Sequence, residues 1–242
     1  MQSNDKQAYD RGVAVFSPDG RLYQVEYARE AVKRGSPAVG VTTDDSVVLA
    51  AHGQPRSPLI EPESIEKVHD LDGRLGVATA GHVADARRLV DFGREYAQRE
   101  RLRYGEAPTV EPVARAFADQ VQESTQTGGT RPFGAALLVG GVVDAEPRLY
   151  EIDPSGTPTE WHATAVGNGS ETIRNHFETA FDSAVATETG ISMALSALDE
   201  GSEGELTPAE IDLAILDESG VQPFDRDEVA DALGTADLPS GS

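Results

Sequence analysis

The side chains best suited to acid–base work near neutral pH are five histidines, His52, His69, His82, His162 and His176. They are scattered along the chain. No Gly-x-Ser-x-Gly elbow and no His-Glu-x-x-His helix accompanies them, so spacing supports neither a Ser-His-Asp hydrolase nor a zinc peptidase. Metal-ligand spacing is lacking, and with no cysteine there is neither a thiolate site nor a disulfide framework. The run Gly167-Asn168-Gly169-Ser170-Glu171 is glycine-rich, as phosphate-cradling loops are, but lacks their Gly-Lys-Ser/Thr ending. An ordinary strand-to-helix turn is expected there. No catalytic residue, metal or cofactor is expected.

Lys67 stands out by composition. The chain has three lysines, Lys6, Lys33 and Lys67, against seventeen arginines. A compact, flexible ammonium suits a single carboxylate in a partly desolvated groove. A solvated lysine at a strand end, paired with Glu63 or Glu66, is the plainer alternative. Glu26 and Arg29 are three apart on an expected helix. They either pair with each other, for ~0.2–0.5 kcal/mol, or reach a partner molecule.

The elements that must position these residues follow from periodicity. Residues 13–16 are apolar and run into a Ser17-Pro18-Asp19-Gly20 turn. A helix over 20–34 follows, capped by Asp19 or Gly20, with Leu22, Val25, Ala28 and Val32 on one stripe and Tyr23 and Tyr27 beside it. Gly35 and Ser36-Pro37 stop it. Strands are expected over 38–43, 46–51, 67–71 and 75–79, apolar with little alternation, as in a sheet covered on both faces. Helices over 83–104 and 109–125 come next, the first ended by Gly105. Then come strands over 135–140, 148–152, 157–161 and 163–166, helices over 170–182 and 183–199, a strand over 211–216 and a helix over 225–233. Residues 234–242 read as a disordered acidic tail. The order implies an α+β fold with segregated helices in one domain over 1–233.

Charge narrows the class further. The 242 residues carry a net −22, yet 38% are hydrophobic and fall in periodic segments, which argues against a disordered acidic chain. In molar salt the Debye length falls to ~3 Å, so carboxylate repulsion is screened, and the composition looks halophilic. Without a basic face, nucleic-acid binding is not expected. No apolar run reaches the ~20 residues of a membrane helix, and the polar N-terminus lacks a signal-peptide core. A cytoplasmic protein with no membrane association is the expectation.

The leading block YDRGVAVFSPDGRLYQVEYAREAVKRG resembles the α-type subunit of the archaeal 20S proteasome. So do SIEKVHD, TAGHVADARRLVDFGREYAQRE, RPFGAALLVGG, PRLYEIDPSG and AVGNGSE, in the family's order over residues 8–233. The resemblance implies a four-layer αββα sandwich of the N-terminal-nucleophile hydrolase type with an extra N-terminal helix. It implies a seven-membered, homo- or hetero-oligomeric α ring stacked on β subunits, which perform threonine-type peptide hydrolysis. The chain itself would not be catalytic. Ser36 falls near the position of the β-type threonine nucleophile but is internal, and His52 stands where catalytic relatives place an acidic residue.

The resemblance also assigns roles. Lys67, Gly81 and Glu26 would form an inter-subunit pocket that receives the C-terminal tail of a hexameric AAA ATPase, with Lys67 pairing with the terminal carboxylate. Tyr9, Asp10, Pro18 and Tyr27 would hold a gate open over the pore. Thr127, Gly128 and Gly129 would form a constriction passed by unfolded protein substrates; relatives often have tyrosine where Thr127 stands. The rival expectation is a self-processed hydrolase that uses Ser36 or another cryptic nucleophile.

Overall fold

The computed structural model describes residues 22–55, 57–126, 130–180, 185–202 and 204–236. Tyr9, Asp10 and Pro18 of the expected gate, Thr127, Gly128 and Gly129 of the expected constriction, and residues 237–242 of the expected tail lie outside them.

Helix α1, Tyr23–Lys33, buries Val25, Ala28 and Val32 of the expected stripe, while its fourth member, Leu22, lies before the helix and is only half-buried. Leu22 precedes its first turn in extended conformation with no side-chain cap, in place of the expected Asp19 or Gly20. Strands β1, Ala38–Thr42, and β2, Val47–His52, are paired from Ala38↔Ala51 to Thr42↔Val47. Strands β3, Val68–Asp70, and β4, Leu75–Gly81, form a second pair. Helix α2, Val83–Tyr104, ends at Gly105 with φ 79°, where a residue without Cβ fits the left-handed cap. Helix α3, Val110–Gln126, buries Val113, Phe117, Ala118 and Val121.

Strand β5, Ala135–Val143, and β6, Glu146–Ile152, are longer than their apolar runs suggested. Asp144 and Ala145 both adopt positive φ, a two-residue hairpin turn that returns Glu146 and Pro147 to the strand. Strands β7, Pro158–Glu160, and β8, Ala163–Val166, follow, then helices α4, Ser170–Ala180, and α5, Thr187–Gly201. Strand β9, Ile211–Asp217, pairs with β10, Gly220–Pro223, an edge strand that sequence reading missed. Helix α6, Arg226–Thr235, opens on a reciprocal Asp225–Glu228 capping box and ends two residues beyond the expected boundary, so Gly234 and Thr235 are helical and not tail.

The ten strands form two antiparallel sheets among the described residues, ordered β10-β9-β2-β1-β8 and β3-β4-β5-β6-β7. Three apolar clusters fix the layering. Phe117, Leu89 and Val113 pack helices α2 and α3 on β4 and β5. Leu49, Leu138, Leu149 and Leu216 fill the space between the sheets. Leu195, Leu198 and Ile173 pack α4 and α5 on β1, β2 and β9. This is the expected αββα sandwich. Both faces of each sheet are covered, which explains why β1, β2, β4 and β5 read as continuous apolar runs. Helix α1 lies outside the layers against β4 and β5, with Val32 entering the inter-sheet cluster.

Candidate functional site

The α1–β1 junction builds the site. Gly35 donates its N–H to Val32 O and ends α1, and its own carbonyl accepts from Asn168 N–H at 2.7 Å. Gly35 also packs directly on Gly81: a Cβ there would run into the Gly81 N and Cα. Gly81, with φ 109°, in turn faces the Gly134 carbonyl so closely that it admits no side chain. A cavity of about 580 Å³ opens above this contact. It is lined by Tyr27, Glu30 and Ala31 of α1, by Arg34 and Gly35 just after that helix, and by Gly81 and His82.

Lys67, one residue before β3, bonds to the two residues that follow Gly35 in the chain. Its Nζ donates to Ser36 O at 2.6 Å, Ser36 Oγ at 3.0 Å, Pro37 O at 3.1 Å and His52 O at 3.0 Å. The ammonium is buried, and burial pushes its pKa down to about 7 against the opposing pull of Asp212. Asp212 Oδ2 accepts from the Lys67 N–H at 2.5 Å and from the Val68 N–H at 3.3 Å. Neither expected surface partner is used: Glu66 lies 3.4 Å from His69, and Glu63 pairs with Arg226 at 2.8 Å. The picture of a solvated strand-end lysine is therefore wrong. Lys67 is not part of the cavity lining; its ammonium contacts Ser36, the neighbour in sequence of the lining residue Gly35.

The remaining site residues divide. Gly81, expected in the docking pocket, and Tyr27, expected in the gate, both line the cavity, and Tyr27 is 57% exposed. Glu26 lies off the cavity and pairs with Arg29 at 2.7 Å, the intra-helical alternative. Arg29 reaches further and binds Asp153 through Nε at 3.2 Å and Nη2 at 2.7 Å, tying α1 to the turn after β6. Of the other histidines, His52 is buried with Nδ1 3.1 Å from Ser202 Oγ and Nε2 3.7 Å from Glu210. Burial, opposed by Glu210 and reinforced by the Lys67 charge, lowers its pKa. The glycine-rich run 167–171 is a strand-to-helix turn, and Gly167 is pressed against the Ser36 and Gly35 carbonyls, leaving no cradle.

Ser36 comes within reach of an ammonium of lowered pKa, as a nucleophile would. Yet its nitrogen is an internal amide, and the peptide before it is held by Asn168. The free α-amine that N-terminal-nucleophile chemistry requires is thus missing from the intact chain.

Sequence reasoning missed two carboxylates, neither of them in the cavity lining. Asp85 is buried and takes Arg131 in a two-point contact at 2.6 and 2.8 Å, plus the Gly134 N–H at 2.9 Å. Gly134 O in turn accepts the His82 N–H at 2.8 Å, which fixes the cavity rim. Burial alone would raise the Asp85 pKa, but Arg131 and the Gly134 N–H outweigh it and the pKa is lowered. Its signal was spacing: Asp85 lies one turn before Leu89 on the apolar stripe of α2. Asp212, the second, had only its placement inside an apolar strand.

Comparison with known proteins identifies the family. The family profile described as proteasome subunit matches residues 32–216, and the one described as the N-terminal signature of A-type proteasome subunits matches 9–31. The alpha 2 proteasome subunit of Haloarcula marismortui is 52% identical over 241 residues, 98% of each chain. The alpha 2 proteasome subunit of Haloferax volcanii is 53% identical over 236 residues, 98% of this chain and 94% of the other. The alpha proteasome subunit of Natronomonas pharaonis is 50% identical over 238 residues, 97% and 93% of the two chains. The chain belongs to the proteasome family, as a non-catalytic α-type subunit that assembles in rings with other proteasome subunits of the 20S core particle.

Proposed function

We propose that this subunit controls the admission of unfolded proteins to the 20S particle and docks a hexameric AAA ATPase at the cavity beside Lys67. The carrying observation is a buried ammonium whose direct partners are carbonyls and a hydroxyl, one of them on Ser36, next in the chain to Gly35 of the cavity lining. A terminal carboxylate seated above Gly35 is attracted by that charge, and with little water between them the attraction is stronger than at a surface. Gly35 and Gly81 let an incoming backbone approach closely. Arg34 and Tyr27 of the lining add a second cation and an aromatic surface. The neighbouring α subunit completes the pocket.

In this reading seven α subunits form each outer ring, in the cytoplasm, over β subunits that carry out threonine-type hydrolysis. Tyr9, Asp10 and Pro18, together with Tyr27, hold the gate open when tails dock. Thr127, Gly128 and Gly129 line the constriction. Docking shifts the gate only by binding its open state better than its closed one.

The test is Lys67→Ala in particles whose ring assembly is checked by imaging. ATPase-stimulated degradation of an unfolded protein, relative to unstimulated hydrolysis, is expected to fall at least about tenfold, the equivalent of ~1.4 kcal/mol of docking energy. Lys67→Arg, which keeps the charge, should retain part of the stimulation. Full stimulation in the alanine variant would remove Lys67 from the docking site.

A further inference from the structure

We infer that Asp212 is the positioning residue for the Lys67 ammonium: from the opposite sheet it fixes the lysine backbone and supplies the negative charge that holds the ammonium against the Ser36, Pro37 and His52 carbonyls. The inference rests on the docking reading above for its consequence, but not for its geometry.

Lys67 is gripped by one pair of strands. In the β2–β9 register Ala51 faces Asp212 and His52 faces Ile211. The His52 carbonyl takes the Nζ at 3.0 Å, while the Asp212 carboxylate takes the lysine's own N–H and that of Val68. Both ends of the residue are thereby tied to the β2–β9 pair, although Lys67 leads into a strand of the other sheet. The carboxylates around it are otherwise engaged. Glu210, in the 3₁₀ turn before β9, lies against His52, and Glu66, the preceding residue, lies against His69 of β3. Arg94 of α2 bears on His69 and donates to the Asp70 carbonyl. That leaves Asp212 as the carboxylate bonded to Lys67 itself. Its pull opposes the burial that lowers the Lys67 pKa to about 7; burial raises the pKa of Asp212 itself, against the two N–H donors that lower it.

Asp212 does not reach the cavity, so its effect on docking passes through Lys67. Asp212→Asn keeps an oxygen for the two N–H donors and removes the charge. Docking is read with a synthetic peptide ending in a hydrophobic residue, tyrosine and one further residue, titrated against assembled particles at several pH values. In wild type, affinity should decline as pH rises through about 7. In Asp212→Asn the decline should move at least about half a pH unit lower, with a several-fold loss near pH 7.5 and recovery at lower pH. In Lys67→Arg, and in Lys67→Arg with Asp212→Asn, affinity should be flat with pH, because guanidinium stays charged. An equal loss at every pH in both backgrounds would reduce Asp212 to a structural role and overturn the inference.

A second readout stands apart from docking. Lysine labelled with carbon-13 at Cε gives three residues to assign, Lys6, Lys33 and Lys67, and follows the Lys67 titration in the particle. An unchanged Lys67 midpoint in Asp212→Asn overturns the inference even if docking at the cavity is sound. A shifted midpoint with docking insensitive to Lys67 upholds it and removes the docking reading instead. Should Asp212→Asn fail to assemble, the same titration in Asp212→Ser, which keeps a small acceptor, decides the question in the same way.

Discussion

Gly35 and Gly81 touch backbone to backbone, and this contact sets the base of the cavity between α1 and the start of α2. Neither residue can retreat. Gly35 is held by Val32 O and Asn168 N, and Gly81 is pressed against Gly134 with φ 109°. Gly35→Ala therefore forces α1 off the sandwich or the β4 end out of register. The expected cost is about 1–3 kcal/mol, the usual range for overpacking a closed site. Gly234→Ala is the control: it lies in α6 with nothing within 4 Å of a new Cβ. That change should be neutral or stabilising by ~0.5–1 kcal/mol. Melting curves of the two variants against the parent decide the matter; equal melting points for Gly35→Ala and the parent would mean that the junction is loose.

Such contacts mark the limit of sequence reading. The apolar runs of β1, β2, β4 and β5 announced a doubly covered sheet, because burial on both faces removes alternation. The stripe of α2 announced a core helix from Ala86 through Leu89 and Val90 to Ala97, and the same stripe contained Asp85, whose burial was legible but unread. Strand β10 escaped because Gln222 and Pro223 are polar or strand-averse and lie on an exposed edge. Lys67 was conspicuous by its rarity, yet its partners Ser36, Pro37, His52 and Asp212 lie 15 to 145 residues away in sequence. Only the stacking of two sheets brings them together, and no local pattern encodes that. The family resemblance named Lys67 and Gly81 but gave no hint that the ammonium is buried among the Ser36, Pro37 and His52 carbonyls.

Asp85 should make the rim of the site acid-sensitive. Its folded pKa lies below its unfolded value of about 3.9. The stabilisation is thus complete above the unfolded pKa and is lost as pH falls through the lower, folded one. At neutral pH, Asp85→Ala strips the Gly134 N–H of its buried acceptor, for about 1–3 kcal/mol. The Arg131 side chain is 62% exposed and returns to water at little cost, so its share of the loss is small. Denaturant unfolding of parent and variant should differ near pH 7, and the gap should narrow as pH falls below about 3.9. A gap that persists undiminished at pH 3 would place the effect in packing and not in the carboxylate charge.

Salt should govern assembly more than any single contact. Each subunit carries a net −22, and a ring sets several such charges side by side. In molar salt the screening length is ~3 Å, shorter than the spacing of most surface carboxylates; at 0.1 M it is ~10 Å, and repulsion spans neighbouring subunits. Exposed ion pairs such as Arg115–Glu111 gain strength on dilution, but each contributes only ~0–1 kcal/mol and cannot offset the unpaired excess of acid. Dilution from molar to 0.1 M sodium chloride is therefore expected to shrink the particle, measured by light scattering, and to lower its melting temperature. Sucrose at low salt separates the causes, since it strengthens apolar burial by exclusion but screens no charge. If screening is the cause, chloride restores the particle and sucrose does not. Equal rescue by both would trace the salt requirement to weak apolar interfaces, and constant size and melting point across the series would show that the acidic surface places no demand on salt.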